Sequence, residues 1–352
     1  MSQVFTQVHI VLPGLFDLPL DELSIDFTQR KLPRLNHLLR FASAEINHNF
    51  TIDAILCSVF GWPAPSSQSV LPLARVFADG CKGEGLLVQP VFLRPDLGNA
   101  TIFPIERSEQ NLADCRRLLT DLRVMFAEDL QLVEVDEGLF LMHLQSCRVP
   151  DHYPHILSVL GKSARPYMAK ARENLEWHRL LNEMQMFLHQ HEVNQQRSAR
   201  GLFPINSLWC WGSGAMHACT RDIDCFCDNP LLRDFTKKLG ISTLPLGAIS
   251  NATSSADRLI IDLRLLEAIK MNQTTRLENL LLDIETRVLG AVLEASLKTT
   301  IRLHAGFGVD LRFGLNARFK FWRPRRTLVD FQSKYQSPDS LSAPALPQHR
   351  GP

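Results

Sequence analysis

The fold class follows from one stretch near the start of the chain, Val8-His9-Ile10-Val11-Leu12-Pro13-Gly14. Apart from the histidine its first five residues are apolar, and Pro-Gly ends the run, which predicts a buried strand that stops in a sharp turn. Downstream, apolar residues recur at the spacing of an amphipathic helix, with Pro33 in the first turn. These residues are Leu32, Leu35, Leu38, Leu39 and Ala42. A strand followed by a helix indicates an α/β fold.

The rest of the chain continues this alternation and adds an antiparallel portion. Apolar runs over 131–135 and 139–144, separated by Asp136-Glu137-Gly138, predict a hairpin. The run over 205–211 is too apolar to alternate, which predicts a central strand covered on both faces. Further helices are predicted over 112–122, 169–191 and 277–292, and a late strand over 317–322.

The chain has 352 residues, and a single core usually stops growing near ~250 to 300 residues. We expect one α/β domain over residues 1–331, with a sub-division near 148–168, where prolines and a glycine make a long connection. Residues 332–352 are rich in Ser and Pro and have little to bury, so they predict a disordered tail.

Composition excludes several classes of protein. With 45% hydrophobic and 21% charged residues the chain is globular rather than disordered, collagen-like or coiled-coil. The formal net charge of +1 predicts no general attraction to nucleic acid or anionic lipid. No apolar run reaches the ~18 residues of a membrane helix, and the run over 8–12 is too short for an export signal. The eight cysteines are spread through a large chain, so we expect reduced thiols in a cytoplasmic protein.

Two nucleotide-binding motifs are interrupted at the residues that carry their chemistry. Gly161-Lys162-Ser163 resembles the end of a P-loop, but Ile156 stands in place of its first glycine. Gly212 and Gly214 begin a dinucleotide-binding pattern, but its third glycine is His217, whose side chain opposes close helix packing. The sequence therefore disfavours nucleotide binding by either device.

Zinc sites are also incomplete in the sequence. His191-Glu192 is followed by Gln195 where a zinc protease helix needs its second histidine. The nucleophile elbow of serine hydrolases, Gly-x-Ser-x-Gly, does not occur either. A second candidate is one short loop that could supply an imidazole and three thiols: His217, Cys219, Cys225 and Cys227. Because closed zinc sites usually show paired Cys-x-x-Cys knuckles, we favour ordinary buried or surface cysteines and leave zinc open as the alternative.

The stretch 189–214 combines amides, arginines and a glycine turn. A helix end and a strand that stops at glycines would bring polar groups to the carboxyl edge of a sheet, where ligands of α/β proteins sit. Arg197 or Arg200 would hold a phosphate or carboxylate, and Arg197 would then lie beside an open crevice without a fully compensating acid. The alternative is a buried junction in which Arg197 pairs with an acid and Asn194 and Asn206 cap helix and strand ends. The candidate ligand-binding residues are Asn194, Arg197, Asn206, Trp209, Trp211, Gly212 and Gly214.

This region resembles a known bacterial family, the RpfE-type regulatory proteins. The resemblance is carried by Glu183-Met184-Gln185-Met186-Phe187-Leu188-His189, His191-x-Val193-Asn194-x-x-Arg197, Gly201, and Pro204-x-Asn206-Ser207-Leu208-Trp209-x-Trp211-Gly212. Matching segments elsewhere are Leu12-Pro13-Gly14-Leu15, Pro72-Leu73-Ala74-Arg75, Asp79-Gly80, Pro90-Val91-x-Leu93-Arg94-x-Asp96 and Phe321-Trp322-Arg323. Glu192 replaces a proline of the family pattern and leaves the helix free to continue. The resemblance implies a regulatory role.

In looser form the motif is similar to elements of the archaeal-type cofactor-independent phosphoglycerate mutases, which belong to the alkaline phosphatase superfamily. This similarity implies a mutase-like sheet flanked by helices and two-metal phosphoryl transfer from a Ser or Thr nucleophile. In those enzymes the first strand ends in a metal-binding Asp-Gly, whereas this strand ends in Pro13-Gly14. After residue 217 the only histidines are His304 and His349, and no Asp-x-x-x-His pairing accompanies Asp257 or Asp262. We therefore predict a pseudoenzyme without catalytic residues, metal or other cofactor.

The sequence supports three functional hypotheses. The leading one is a non-catalytic, cytoplasmic regulatory protein that binds a phosphorylated small metabolite or a protein partner. The alternative is a metal-dependent phosphoglycerate mutase or phosphatase acting on a phosphorylated small acid. A third, nucleic-acid binding, is disfavoured because the whole chain is neutral. It would use Arg318, Lys320, Arg323, Arg325 and Arg326, interleaved with Phe319, Phe321 and Trp322.

Overall fold

The computed structural model describes residues 7–23, 31–46, 51–62, 70–77, 85–96, 99–145, 147, 153–171, 174–251, 256–295, 299–306, 308–314 and 322–335. The strands within these ranges are β1 Gln7–Val11, β2 Ser43–Ile46, β3 Gly85–Asp96, β4 Asn99–Pro104, β5 Leu130–Asp136, β6 Leu139–Leu144, β7 Ser207–Trp211, β8 Ile223–Cys227, β9 Ser242–Leu244, β10 Asp257–Ile261, β11 Thr300–His304 and β12 Val309–Phe313. The α-helices are α1 Pro33–Phe41, α2 Ile52–Val59, α3 Glu109–Met125, α4 Arg165–Ala171, α5 Leu175–Gln190, α6 Glu192–Ala199, α7 Pro230–Lys238, α8 Arg264–Lys270, α9 Thr274–Asp283, α10 Gly290–Ala295 and α11 Leu328–Tyr335.

The chain divides into two compact units. Unit 1 comprises Met1–Ser67 and His217–Ser342, and unit 2 comprises Gln68–Met216 and Ala343–Pro352. The sub-division predicted near 148–168 is wrong, because that segment lies inside unit 2 and is tied to β4. There the Gly161 N–H donates to the Ile102 carbonyl at 2.8 Å, and the Ile102 N–H donates to the Lys162 carbonyl at 3.1 Å. A single domain over 1–331 stays a prediction.

Unit 1 is built on a seven-stranded sheet with the order β2-β12-β11-β1-β10-β8-β9. The five strands from β11 to β9 run parallel, while β12 and β2 are antiparallel. The predicted first strand and first helix are confirmed by β1 and α1. Val8 and Ile10 of β1, with Leu12 just after it, join a core with residues of α1, α9, α10 and α11. Because strand side chains alternate between faces, His9 and Val11 point to the opposite face.

Unit 2 is built on antiparallel strands in the order β4-β3-β6-β5, with β7 also paired to β3. The predicted hairpin is confirmed by β5 and β6, and the helix predicted over 112–122 by α3. β7 is buried at all five residues, as predicted, but it is not a central strand, since among the described strands it pairs only with β3. The predicted α/β class with an antiparallel portion is confirmed.

Two predicted helices differ in detail from the structure. The helix predicted over 169–191 is instead α4 followed by α5, because Asn174 Oδ1 accepts a hydrogen bond from the Trp177 N–H at 3.1 Å and so caps a new helix. Leu175, the first residue of α5, is 77% exposed although the apolar spacing of the sequence places it on the same face as Leu180 and Met184, which are buried. The helix predicted over 277–292 is confirmed, with a π-helical stretch, Ile284–Leu289, between α9 and α10.

The first residues of the predicted tail, 332–335, are helical. The Gln332 Nε2 donates to the carbonyl oxygens of Phe16 at 3.0 Å and Leu18 at 2.9 Å, and α11 continues to Tyr335. The prediction for 332–335 is therefore wrong, because this amide anchors the helix in unit 1. The remaining tail, the predicted strand up to residue 321, and Asp79-Gly80 lie outside the described residues. None of the helices in the described ranges has the length and apolar character needed to cross a membrane.

Candidate functional site

Asn194, the first of the predicted ligand-binding residues, is buried in α6 and bonded within unit 2. Its Nδ2 donates to the carbonyl oxygens of Leu188 at 2.6 Å and Ile205 at 2.9 Å. Its Oδ1 accepts a hydrogen bond from the Ile205 N–H at 2.8 Å. The side chain therefore joins the end of α5 to the segment before β7, which is a structural role.

Arg197 is only 2% exposed. Its Nη1 donates to Asp114 Oδ2 and Asn111 Oδ1, both at 2.7 Å, and its Nε donates to the Phe203 carbonyl at 2.9 Å. The Arg200 Nη2 donates to the same Asp114 oxygen at 2.7 Å. The expectation of an open crevice without a compensating acid is therefore wrong, because α3 supplies a buried carboxylate to both arginines.

Asn206 and the two predicted tryptophans are also used inside unit 2. Asn206 Oδ1 accepts from the Leu93 N–H at 2.7 Å, and its Nδ2 donates to the Leu93 carbonyl at 2.9 Å. Trp209 Nε1 donates to a main-chain carbonyl at 3.0 Å. Trp211 is buried with its ring centroid 4.4 Å from that of His155, and its Nε1 has no partner among the described residues. These side chains form the packed interior around β7.

The two predicted glycines are required by close approach of the backbone. Gly212 has a φ of +80°, and a Cβ there would lie 3.1 Å from the Ala74 nitrogen, whose N–H donates to the Gly212 carbonyl at 2.9 Å. A Cβ on Gly214 would collide with the Val70 carbonyl oxygen. The space beside the glycine turn is therefore filled by residues 70–74.

These seven residues do not lie at the predicted edge of a parallel sheet. The expectation was wrong because β7 belongs to an antiparallel sheet, whereas ligand sites at carboxyl edges are a property of parallel α/β sheets. A cavity beside Trp177, Ser207 and Trp209 has a volume of about 10 Å³, room for roughly one water molecule. Ligand binding by the seven residues stays a prediction, and their contacts favour the buried junction.

The thiols near His217 do not share a loop. Cys225 and Cys227 are buried on β8, and Cys219 precedes the strand. Burial raises the pKa of the Cys227 thiol to about 12 and also raises the pKa of Cys225, whereas zinc binds thiolates. Cys219, Cys225 and Cys227 are free thiols. In the described ranges, no group of three or more His, Cys, Asp or Glu residues could hold a metal ion.

The carboxyl edge of the parallel strands in unit 1 is the place where the similarity to mutases implies two metal ions. Asp262, which follows β10, accepts hydrogen bonds from the Arg264 main chain, Nε and Nη2 at 3.1, 2.9 and 2.7 Å. Pro13 follows β1. Gly14 has a φ of +92°, and a Cβ there would lie only 3.0 Å from the Leu266 Cα, so the turn packs closely against α8. A guanidinium and a main-chain turn occupy these positions, so they do not fit a two-metal centre.

A different polar cluster lies on the face of the unit 1 sheet opposite the main core. The rings of His9 on β1 and His304 on β11 are parallel within 5°, with centroids 5.8 Å apart. His304 Nδ1 lies 2.8 Å from Asp310 Oδ1 on β12. Each histidine is 5% exposed, and both nitrogens of His9 and Nε2 of His304 are buried without a partner among the described residues. Unsatisfied buried polar groups are rare and require an explanation.

The electrostatic surroundings of His9 are cationic. Burial lowers its pKa from 6.5 to about 3, His304, Arg302 and Arg221 lower it as well, and Asp310 raises it. His9 is therefore neutral near pH 7. Arg221 is exposed, and the Arg302 side chain is 39% exposed, with its Nη2 3.9 Å from Glu45 Oε2 on β2. We call this set of five residues the imidazole–arginine cluster: His9, Arg221, Arg302, His304 and Asp310.

The imidazole–arginine cluster was not predicted from the sequence. The only local signal was a histidine within the apolar run of β1. Its neighbours come from the other end of the chain, where parallel pairing sets His9 opposite Arg302 and Val11 opposite His304. That register was not readable from residue spacing.

Comparison with known proteins leaves the family unassigned. No family model matches the sequence, and no curated protein matches it. The fold is similar to that of the cofactor-independent phosphoglycerate mutase from Thermoplasma acidophilum, with 16% identity and a TM-score of 0.40 over 88% of this chain and 90% of that one. It is also similar to the PH0037 protein from Pyrococcus horikoshii, with 13% identity and a TM-score of 0.43 over 88% and 87%. At these values neither likeness bears on activity, and the resemblance to RpfE-type proteins stays a prediction.

Proposed function

We propose that this chain is a non-catalytic regulatory protein that binds a small anion at the imidazole–arginine cluster, with a phosphorylated small acid as the ligand class. The observation that carries the proposal is the set of three buried, unpartnered imidazole nitrogens on His9 and His304 beside the cations Arg221 and Arg302. Each unsatisfied buried group costs about 1 to 3 kcal/mol. A ligand that supplies partners recovers part of this cost.

The chemistry of the cluster suits phosphoryl or carboxylate oxygens. Guanidinium groups donate parallel hydrogen bonds to such oxygens, and a neutral imidazole adds one N–H donor. Asp310 is the acid of the cluster, and it already accepts from His304 at 2.8 Å. Glu45 lies 3.9 Å from the Arg302 guanidinium, and both side chains are exposed, so this is a weak pair that an anion can displace. The two arginines therefore favour an anion over a cation.

The carboxyl edge of the unit 1 sheet supports the absence of catalysis. Pro13 offers no ligand, and both Asp262 oxygens are held by Arg264. A two-metal mechanism needs free carboxylates and imidazoles that converge on the ions. These positions are used for packing and ion pairing instead.

The binding part of the proposal is tested by calorimetry and thermal melts with sulfate, inorganic phosphate and phosphoglycerate. A ligand at 100 times its dissociation constant stabilises the native state by about 2.7 kcal/mol, so unit 1 should melt at a higher temperature. Arg221→Met and Arg302→Met should lose this stabilisation. Arg276→Met, on α9 and bonded to Gln273, is the matched control and should keep it. A wild-type protein that none of these anions stabilises would refute the proposal.

The absence of catalysis is tested with phosphoglycerate and phosphorylated small acids in the presence of manganese or magnesium. No turnover is expected. Turnover that Asp262→Asn abolishes would establish the alternative, a metal-dependent mutase or phosphatase, because it would place a catalytic group at the carboxyl edge.

A further inference from the structure

The proposed anion site contains a proton acceptor that its protein neighbours do not use. A neutral imidazole has one N–H donor and one lone pair, and neither nitrogen of His9 has a partner among the described residues. Its stacked neighbour differs, because His304 bonds through Nδ1 to Asp310 and leaves only Nε2 unpartnered. Within the imidazole–arginine cluster, His9 is therefore the imidazole whose protonation state is less fixed by hydrogen bonds.

The charges around His9 oppose protonation when no anion is present. After burial, the groups that lower its pKa are His304, Arg302 and Arg221, in that order, and only Asp310 acts in the other direction. A dianion bound at the two arginines would cancel their repulsion and add an attraction, and both changes favour the imidazolium form. An imidazolium would in turn donate from both nitrogens.

Within the described ranges, the other elements packed near His9 add no cation of their own, and Glu45 on β2 pairs with Arg302 at 3.9 Å. Leu259 lies beside it on β10, and its partner on β11 is Arg302, already counted above. Helix α2 packs against β1 and contributes buried Asp53 and Cys57, with the Asp53 charge helping to raise the pKa of the Cys57 thiol. The arginines of the cluster are therefore the cations that a bound anion would neutralise.

We propose that anion binding at the imidazole–arginine cluster is linked to proton uptake by His9, so that the protein binds its anion more tightly as the solution becomes more acidic. This inference rests on the proposed function and adds regulation by pH to it. Where the free protein is unprotonated at His9 and the complex is protonated, one proton is taken up per anion. Affinity then rises about tenfold for each pH unit of acidification.

The test uses sulfate, which remains a dianion from about pH 5 to about pH 8, so that any proton linkage belongs to the protein. Isothermal titration calorimetry at several pH values gives the affinity, and titrations in two buffers of different ionisation enthalpy give the number of protons taken up. For the wild type we expect the affinity for sulfate to rise as the pH is lowered. The change approaches tenfold per pH unit, with uptake of about one proton per sulfate, at pH values below the pKa of His9 in the complex.

His9→Gln keeps a polar side chain that does not titrate, and it should bind sulfate with an affinity that is nearly independent of pH. His217→Gln removes an exposed histidine of unit 1 and should keep the wild-type slope. If His9→Gln does not fold, the proton count of the wild type still decides whether uptake occurs, and His304→Gln decides whether the neighbouring imidazole supplies it.

Each outcome has a separate meaning. Sulfate binding without proton uptake would overturn the linkage and leave the proposed function intact. A slope that persists in His9→Gln, or that only His304→Gln removes, would overturn the assignment to His9. No sulfate binding at any pH would overturn the linkage, and no binding of inorganic phosphate or phosphoglycerate either would refute the proposed function.

Discussion

The buried pair of Arg197 and Asp114 gives the sharpest test of the structure of unit 2. Arg197→Met keeps most of the apolar stem and removes the donors to Asp114, Asn111 and the Phe203 carbonyl. Breaking a buried ion pair by removing one partner typically costs about 3 to 5 kcal/mol. The Asp114 side chain is 9% exposed, but it retains the bond to Arg200, so we expect a loss at the lower end, about 3 kcal/mol.

Arg200→Met is the matched control, because Arg200 donates to the same Asp114 oxygen over the same 2.7 Å. Its side chain is 35% exposed, against 3% for Arg197, and exposed pairs contribute less than about 1 kcal/mol. Hydrogen-exchange mass spectrometry in increasing urea measures the unfolding free energy of peptides from each unit separately. Equal losses for the two variants would refute the reasoning. An anion-dependent stabilisation lost only in Arg197→Met would restore that residue as a ligand-binding group.

Three further predictions concern unit 1. The pKa of His9 is about 3 in the folded chain, against 6.5 in the unfolded chain. The contribution of neutral His9 to the free energy of unfolding is therefore complete above pH 6.5 and is lost as the pH falls toward 3, by up to roughly 5 kcal/mol. His9→Leu should flatten this acid limb in urea unfolding measured from pH 7 to pH 4. Glu285→Ala should lower the unfolding free energy by about 1 to 2 kcal/mol in urea melts, because its carboxylate accepts from two N–H groups in the first turn of α1, at 2.6 and 2.9 Å. In native protein at pH 7, mass spectrometry should find Cys219 alkylated long before Cys227, since burial both shields the Cys227 thiol and raises its pKa to about 12.

Local patterns predicted the elements of the fold better than their partners. The spacing of apolar residues was sufficient for α1 and α3, and the break at Gly138 for the β5–β6 hairpin, because those signals depend on neighbouring residues. The spacing of apolar residues predicted one helix where the structure has α4 and α5. That spacing continues past Asn174, whose side chain caps α5 and separates the two helices. β7 was predicted to be a central strand because its residues are uniformly apolar. Uniform apolarity indicates that both faces of a strand are covered, but it does not indicate how many strands pair with it.

The candidate residues were harder to interpret because long-range partners decide their roles. In the sequence, Arg197 stands among amides and glycines that are typical of an anion site. The acid that pairs with its guanidinium, Asp114, lies 83 residues earlier in α3. For His9 the sequence suggests no binding role, and the fold supplies the neighbours that do. In the sequence it is one polar residue in an apolar strand, and only the pairing of β1 with β11 brings His304, Arg302 and their neighbours to it. A residue's chemistry can be read locally, but its availability depends on which atoms the fold has already used.

The residues that carry most of the family resemblance are used in this way within unit 2. Its longest motif lies in unit 2, where Asn194, Asn206 and Arg197 direct their polar atoms to main-chain groups or to buried side chains. A motif whose polar groups are consumed by such bonds specifies how α5, α6 and β7 pack, whether or not the chain binds a ligand. The resemblance therefore bears on the architecture of unit 2. The unsatisfied imidazoles of His9 and His304 lie in unit 1, outside that motif, so changes there should alter anion binding while leaving the stability of unit 2 unchanged. A loss of sulfate binding on Arg302→Met, with unchanged hydrogen exchange in unit 2, would separate the site from the motif.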